Sequence, residues 1–274
     1  MLARVFPRRT SATPIDDYSF SGPPGLLTPE DITEVHVSVT FSWDMKVAER
    51  IAETWERIAP VKLGGPAFNQ PGGEFEVGKY LKKGCVITSR GCPNNCWFCA
   101  VPKRDGKLKE LEIKEGNKIF DDNLLACSES HIKKVFKMLL KQTDVAFPGG
   151  LEAKLLKPWH IELLSKVKAQ QVYFAYDRAE ELEPLIMASK ILKESPWYRW
   201  RKCGCYVLVG YPSDTIEKAE QRCITALKLG YMPFAVFYQD EERKQIKTNE
   251  WEKLQRKWVR PAIIGATRKK LGVK

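Results

Sequence analysis

Three cysteines, Cys92, Cys96 and Cys99, stand at C-x3-C-x2-C spacing within the stretch Thr88-Ser-Arg-Gly-Cys-Pro-Asn-Asn-Cys-Trp-Phe-Cys-Ala-Val-Pro102. Their thiolates are soft ligands, and three on so short a loop can converge on one metal centre. Gly91 and Pro93 open the loop. Three ligands are one fewer than the usual four, and an open position is how a metal site keeps a place for a substrate or cofactor. The same three thiols also suffice for a zinc site or a disulfide.

The segments that must position this loop alternate strand and helix. Glu34-Val-His-Val-Ser-Val-Thr-Phe41 alternates apolar and polar residues as a half-buried strand does, and His36 within it reads as structural. A helix follows from Asp44 as N-cap, with Val47, Ile51, Trp55 and Ile58 on one face, and then a strand from Val61 to Phe68. Residues 1–34 are rich in Pro, Gly, Ser and Thr without periodicity and read as an extended arm.

From Lys83 onward the chain offers six strands in succession, at 85–89, 117–123, 144–150, 171–177, 205–211 and 232–239. Lys107 to Glu115 reads as a solvated, charged segment. The clearest helix has Ile132, Val135, Phe136, Leu139 and Leu140 as an apolar stripe opposite Lys133, Lys134, Lys137 and Lys141, with His131 at the surface. Further helices start at Pro158, bury Leu185, Ala188, Ile191 and Leu192, or run from a capping box of Asp214 and Glu217 to Gly230. A last helix carries Trp251, Leu254 and Trp258 up to Pro261. Repeated β/α units imply a parallel sheet with helices against it, so the expected fold class is α/β. The expected divisions are 1–82 (arm and small βαβ-like extension), 83–240 (the repeated units) and 241–274 (a basic helical tail).

Parallel β/α barrels gather their sites at the C-terminal strand ends. Those ends are Asp121-Asp122-Asn123, Gly149-Gly150, Tyr176-Asp177, Gly210-Tyr211 and Tyr238-Gln239, with the cysteine loop after the first strand. Asp121, Asp122 and Asn123 are candidates for polar contact with a substrate. Cys203 and Cys205 form a C-x-C pair on one face of a strand, two residues short of a cluster site. Cys223 lies on an apolar helix face and reads as core. Trp197-Tyr-Arg-Trp-Arg-Lys202 mixes aromatic and basic residues; it precedes the fifth strand, so anchoring between helices is expected of it rather than stacking on bases.

The C-x3-C-x2-C spacing, with aromatic Phe98 before the third cysteine, resembles the signature of the radical S-adenosylmethionine (radical SAM) superfamily. The resemblance spans residues 83–240 and implies a partial (β/α)6 TIM-like barrel. It implies that Cys92, Cys96 and Cys99 hold three irons of a [4Fe-4S] cluster while S-adenosyl-L-methionine takes the fourth. Gly149-Gly150 resembles the family's Gly-Gly-Glu segment, whose backbone receives the cofactor's amino group, although Leu151 here intervenes before Glu152. Asp177 falls where the family meets the ribose hydroxyls, Arg178 where a methionyl carboxylate is within reach, and Val209 and Gly210 in the segment that packs on adenine. The implied reaction is reductive cleavage of the sulfonium, with the resulting 5′-deoxyadenosyl radical taking a hydrogen atom from a substrate. Cys127, Tyr211 and Tyr238 are then candidates for returning or relaying that atom, against plainer roles in packing. An electron donor such as flavodoxin or ferredoxin is implied as a partner. The N-terminal extension resembles a reduced cobalamin-binding domain, but Asp-x-His-x-x-Gly is absent and cobalamin is not expected.

Composition adds bounds. The chain has 274 residues, eight cysteines and a formal net charge of +11, with eleven Lys or Arg against four Glu between 241 and 274. A basic excess suits nucleotides, nucleic acid or another anionic partner, or simply a solvated surface. No apolar run reaches the length of a membrane span, and the basic N-terminus lacks the apolar core of a secretory signal, so a reducing, cytoplasmic location is expected.

Overall fold

The computed structural model describes residues 1–240 and 246–273; residues 241–245 and Lys274 of the expected basic tail lie outside the described residues. The chain divides into two units, Met1–Gly116 and Asn117–Lys274.

The first unit is built on a parallel sheet of β1 (Leu2–Phe6), β2 (Ser19–Ser21), β3 (Glu34–Ser38) and β4 (Val61–Gly64), in the order β2-β1-β3-β4. The N-terminal residues are therefore not an extended arm. β1 is an inner strand, with Val5 opposite Phe20 on one side and Val37 on the other. Ala3 and Val5 are fully buried. Arg4 hid this from the hydropathy pattern: its guanidinium leaves the sheet and donates to the Gly78 carbonyl at 3.0 Å and to Asp16.

Helix α1 (Met45–Trp55) packs Ala48, Ile51, Ala52 and Trp55 on this sheet, an i, i+3, i+4, i+7 face. Trp55 also donates its indole N–H to the Gly22 carbonyl at 2.9 Å. Val47 and Ile58, expected on that face, are exposed, because Val47 lies one position off the stripe and Ile58 follows the helix end. Asp44 precedes α1, yet its carboxylate does not cap the helix; Arg8 holds it through two bonds of 2.5 and 2.6 Å. Strand β5 (Cys85–Val86), strand β6 (Ser89–Arg90), the one-turn helix α2 (Val101–Arg104) and strand β7 (Lys109–Glu110) complete the unit.

In the second unit, strands β8 (Lys118–Ile119), β9 (Ala146–Phe147), β10 (Gln171–Ala175), β11 (Cys203–Val209) and β12 (Met232–Phe237) lie side by side in chain order, all parallel. Between them run α3 (Glu129–Leu139), α4 (Pro158–Lys166), α5 (Leu182–Glu194) and α6 (Ile216–Leu229). Two further helices follow, α7 (Asn249–Trp258) and α8 (Pro261–Lys270). This is the α/β class that the periodicity predicted. Pro261, expected to end the helical tail, instead opens α8, because a missing N–H costs nothing in a first helical turn.

Each helix buries the stripe its spacing allows. Ile132, Val135, Phe136 and Leu139 of α3 are buried, each contributing about 2 kcal/mol by removal from water. Leu140 is exposed, since it lies past the last helical turn. His131 is buried rather than at the surface, at the start of a helix that Ser128 caps by accepting the His131 backbone N–H. Ile191 of α5 is only half-buried beside buried Leu192. The expected capping box at Asp214 is also absent: Thr215 caps α6 by accepting from the Lys218 N–H. On β12, Gln255 of α7 donates to the Ala235 carbonyl at 3.2 Å. No described helix is long and apolar enough to cross a membrane.

Candidate functional site

The cysteine loop of the first unit hangs from a small antiparallel hairpin. β6 pairs with β7, Ser89 opposite Glu110 and Arg90 opposite Lys109, and the Leu111 N–H donates to the Thr88 carbonyl at 2.9 Å. The solvated segment around Lys109 is thus exposed, as expected, but its backbone holds the motif in position. Gly91 turns the chain out of the hairpin at φ +80°, and any Cβ there would strike the Lys107 carbonyl, so only glycine fits. The Cys92 N–H then donates to the Gly106 carbonyl at 3.2 Å, and the Cys99 N–H to the Cys96 carbonyl at 3.0 Å.

Cys92, Cys96 and Cys99 are half-buried, as is Phe98, which meets exposed Trp97 edge to face at 5.3 Å. Among the described residues, no three Cys, His, Asp or Glu side chains close on a single point as one metal ion requires. A four-iron cluster takes each thiolate on a different iron, so the fit to that group rests on the donor set: three soft, half-buried thiols on one anchored loop.

In the second unit the ends of β8 and β9 are drawn together. A Cβ on Gly149 would strike the Asp121 carbonyl, and the Gly149 N–H donates to Ile119 at 3.3 Å. Asp121 and Asn123 are buried, Asp122 half-buried. Asn123 donates its amide to Glu152 Oε2 at 2.6 Å, so the glutamate displaced by Leu151 braces the neighbouring strand end. Cys127 is buried behind the turn that leads into α3.

A second group forms past the ends of β10, β11 and β12. Asp177 Oδ1 accepts the Leu208 N–H at 2.7 Å, while the Leu208 carbonyl accepts from Arg222 Nη2 at 2.8 Å. Arg222 forks onto Asp214 at 2.7 and 3.0 Å, and Asp214 Oδ2 accepts the Gly210 N–H at 2.9 Å. Burial, with Glu181 as a like-charged neighbour, pushes the Asp177 carboxyl up to about 7. Val209 is buried, and the Tyr238 N–H donates to its carbonyl at 2.8 Å. Gly210 takes φ +78°, where a Cβ would enter the Phe237 ring. Tyr211 lies under the Arg222 guanidinium at 5.3 Å.

The fold thus gathers Asp177, Val209, Gly210, Tyr211 and Tyr238 around one peptide of β11. Arg178 turns away to Glu181, 3.0 Å off. Asp214 and Arg222 were not among the expected site residues; their only trace in the sequence is an acid and a base eight positions apart around a helix start. Cys203 and Cys205 are fully buried, and burial pushes the Cys203 thiol up to about 12 and raises Cys205 as well. Trp197 is the expected anchor, buried with its indole N–H on the Ala169 carbonyl at 2.9 Å.

Neither a family model nor a curated protein matches the sequence. Among solved structures, the chain is similar to that of the radical S-adenosylmethionine methyltransferase TsrM from Kitasatospora setae, which has cobalamin and a [4Fe-4S] cluster bound. The TM-score is 0.59 over 86% of this chain and 74% of that one, at 12% identity. At that identity the likeness is one of fold: the α/β architecture here is shared with a radical SAM enzyme.

Proposed function

We propose that the chain is a radical SAM enzyme acting on an anionic substrate such as a nucleotide or nucleic-acid base. The observation that carries this is the C-x3-C-x2-C loop fixed to its hairpin by Gly91 and the Cys92–Gly106 bond; the fold shared with a radical SAM methyltransferase supports it. When bound, the cluster and S-adenosylmethionine supply one-electron cleavage of a sulfonium C–S bond and, from it, hydrogen-atom abstraction.

The chain's own residues hold and shield these groups. Cys92, Cys96 and Cys99 bind the cluster, with Phe98 beside them. The Gly149-Gly150 backbone admits the methionyl end of the cofactor. Asp177 keeps Oδ2 for a ribose hydroxyl, because Oδ1 is taken by Leu208. Val209 and Gly210 offer an apolar wall to the adenine. Arg178 must leave Glu181 before it can meet a carboxylate. Asp121, Asp122 and Asn123 are the polar contacts proposed for the substrate, and Cys127, Tyr211 and Tyr238 are the hydrogen donors to test. Residues 83–240 are the catalytic part in this reading, the electrons come from a donor such as flavodoxin or ferredoxin, and the location is cytoplasmic.

Methyl transfer is the second reading, favoured by the activity named for TsrM. A non-catalytic nucleic-acid module bearing zinc is the contrasting one. Anaerobic reconstitution with iron and sulfide, reduction and addition of S-adenosylmethionine should yield 5′-deoxyadenosine. S-adenosylhomocysteine with a methylated product would favour methyl transfer. Zinc in place of iron, with nucleic-acid binding indifferent to S-adenosylmethionine, would defeat both enzymatic readings.

A further inference from the structure

We propose that Arg90 anchors an oxyanion, a carboxylate or phosphate, carried by the substrate that reaches the cysteine loop. This rests on the reading of that loop as the cofactor site. Arg90 ends β6 and directly precedes Gly91 and Cys92. Its side chain is half-buried, and Nε is buried with no hydrogen-bond partner. The guanidinium lies against the backbone of Gly72, where any Cβ would strike Cζ, Nη1 and Nε.

The acid of this neighbourhood is already engaged. Asp105 accepts the Gly72 N–H at 2.9 Å on Oδ1 and the Arg104 guanidinium on Oδ2. The next residue, Gly106, gives its carbonyl to the Cys92 N–H. Arg90 therefore stands on the same small frame that fixes the cysteine loop, yet among the described residues no carboxylate pairs with it. Arg4 and Arg222, by contrast, each have an acid, Asp16 and Asp214.

A guanidinium stays charged at any physiological pH and holds its donors in a planar fork matched to carboxylate or phosphate. Left half-buried without a counter-charge, it weakens the folded state. A ligand oxyanion restores the balance, and the bare backbone of Gly72 gives the guanidinium itself its place beside the loop. Arg90 thus has a chemistry, next to the loop, that selects for an anionic substrate.

The test uses the full chain with 15N-labelled arginine, in which the Arg90 Nε–H resonance is identified by its loss in Arg90→Lys. Titration with inorganic phosphate or acetate should move that resonance saturably while Arg104, paired with Asp105, stays in place. Absence of a saturable shift with both anions would overturn the site. S-adenosylmethionine alone should leave the resonance unmoved; a shift matching that of phosphate would assign the anion to the cofactor and overturn the substrate anchor. Arg90→Met should melt at or above the wild-type temperature, whereas a large loss would make Arg90 a structural residue. The titration reads anion binding without cluster or turnover, so its failure is distinct from a failure to form 5′-deoxyadenosine.

Discussion

Asp177 completes a β-ladder that its own strand abandons. β10 ends at Ala175, and the Leu208 N–H of β11, which the next backbone carbonyl would have met, donates instead to Asp177 Oδ1 at 2.7 Å. The carbonyl of the same residue is met by Arg222. Two charged side chains thus stand in for a missing stretch of strand, and the sheet opens there without orphaned backbone groups.

This arrangement makes Asp177 sensitive to pH. Its folded value of about 7 lies above the ordinary carboxylate value, so between about 4 and 7 the folded state binds more protons than the unfolded one. The stability contributed by this group is present below that window and is lost as pH rises through it. Asp177→Asn should therefore gain stability relative to wild type as pH is raised from 4 to 7.5, measured by urea unfolding at each pH. A difference that stays flat across the window would refute the assignment.

His160 should show the opposite slope. It is buried, accepts the Lys157 N–H on Nδ1, and has its value lowered to about 4 by burial and by Lys157. The unfolded state then binds more protons between about 4 and 6.5, so this group's stability is present above 6.5 and lost as pH falls through about 4. His160→Asn should lose stability relative to wild type as pH rises through that window. The two variants' difference curves should cross, and parallel curves would contradict the pair.

Removing Arg222 should be severe. The Asp214 side chain is fully buried and that of Arg222 nearly so. Arg222→Met leaves Asp214 with the Gly210 N–H but no counter-charge, and the Leu208 carbonyl without its side-chain donor, a loss of about 3 kcal/mol expected for one partner of a buried pair. Arg222→Met combined with Asp214→Leu should recover part of that loss in the same denaturation experiment. Equal instability of single and double variants would mean that the pair itself is not the cause.

Gly210 and Gly73 make a matched test of backbone demand. Gly210→Ala meets both a positive φ and the Phe237 ring, and a loss of roughly 1–3 kcal/mol is expected from overpacking alone. Gly73→Ala faces open space at an ordinary φ and should be neutral or slightly stabilising. Thermal melting separates them, and similar behaviour of the two would remove the case for a required glycine at the end of β11.

Cys96→Ala should remove iron and 5′-deoxyadenosine together, with the melting temperature of the metal-free protein little changed because Cys96 is only half-buried. Iron analysis and product assay on one preparation check this. Normal turnover in the variant would end the proposed function.

The cysteine loop and the strand ends were legible in the sequence because their signals are local: a spacing, a glycine pair, an acid after an apolar run. The inner position of β1 was not, since its pairing partners lie in distant segments and Arg4 interrupts its hydropathy. Asp44 and Asp214 have the composition of helix caps, but each faces an arginine, at Arg8 and Arg222, that claims the carboxylate; a local reading cannot see such a competitor. His131 is illegible for a related reason, as its burial depends on what packs over the start of α3 rather than on the stripe it borders. The hairpin that carries the cysteines hid in a charged segment whose side chains are solvated while its backbone is not free.

The outer border of β12 has a bearing on how the protein behaves at high concentration. An open strand edge is a template on which another chain can add itself, and parallel α/β sheets expose such edges while they fold. Here Pro233 has no N–H to offer, and Gln255 occupies the carbonyl of Ala235 two residues on. The last strand thus offers a stranger's backbone one donor and one acceptor fewer, which weakens the template for neighbouring copies to stack along that border.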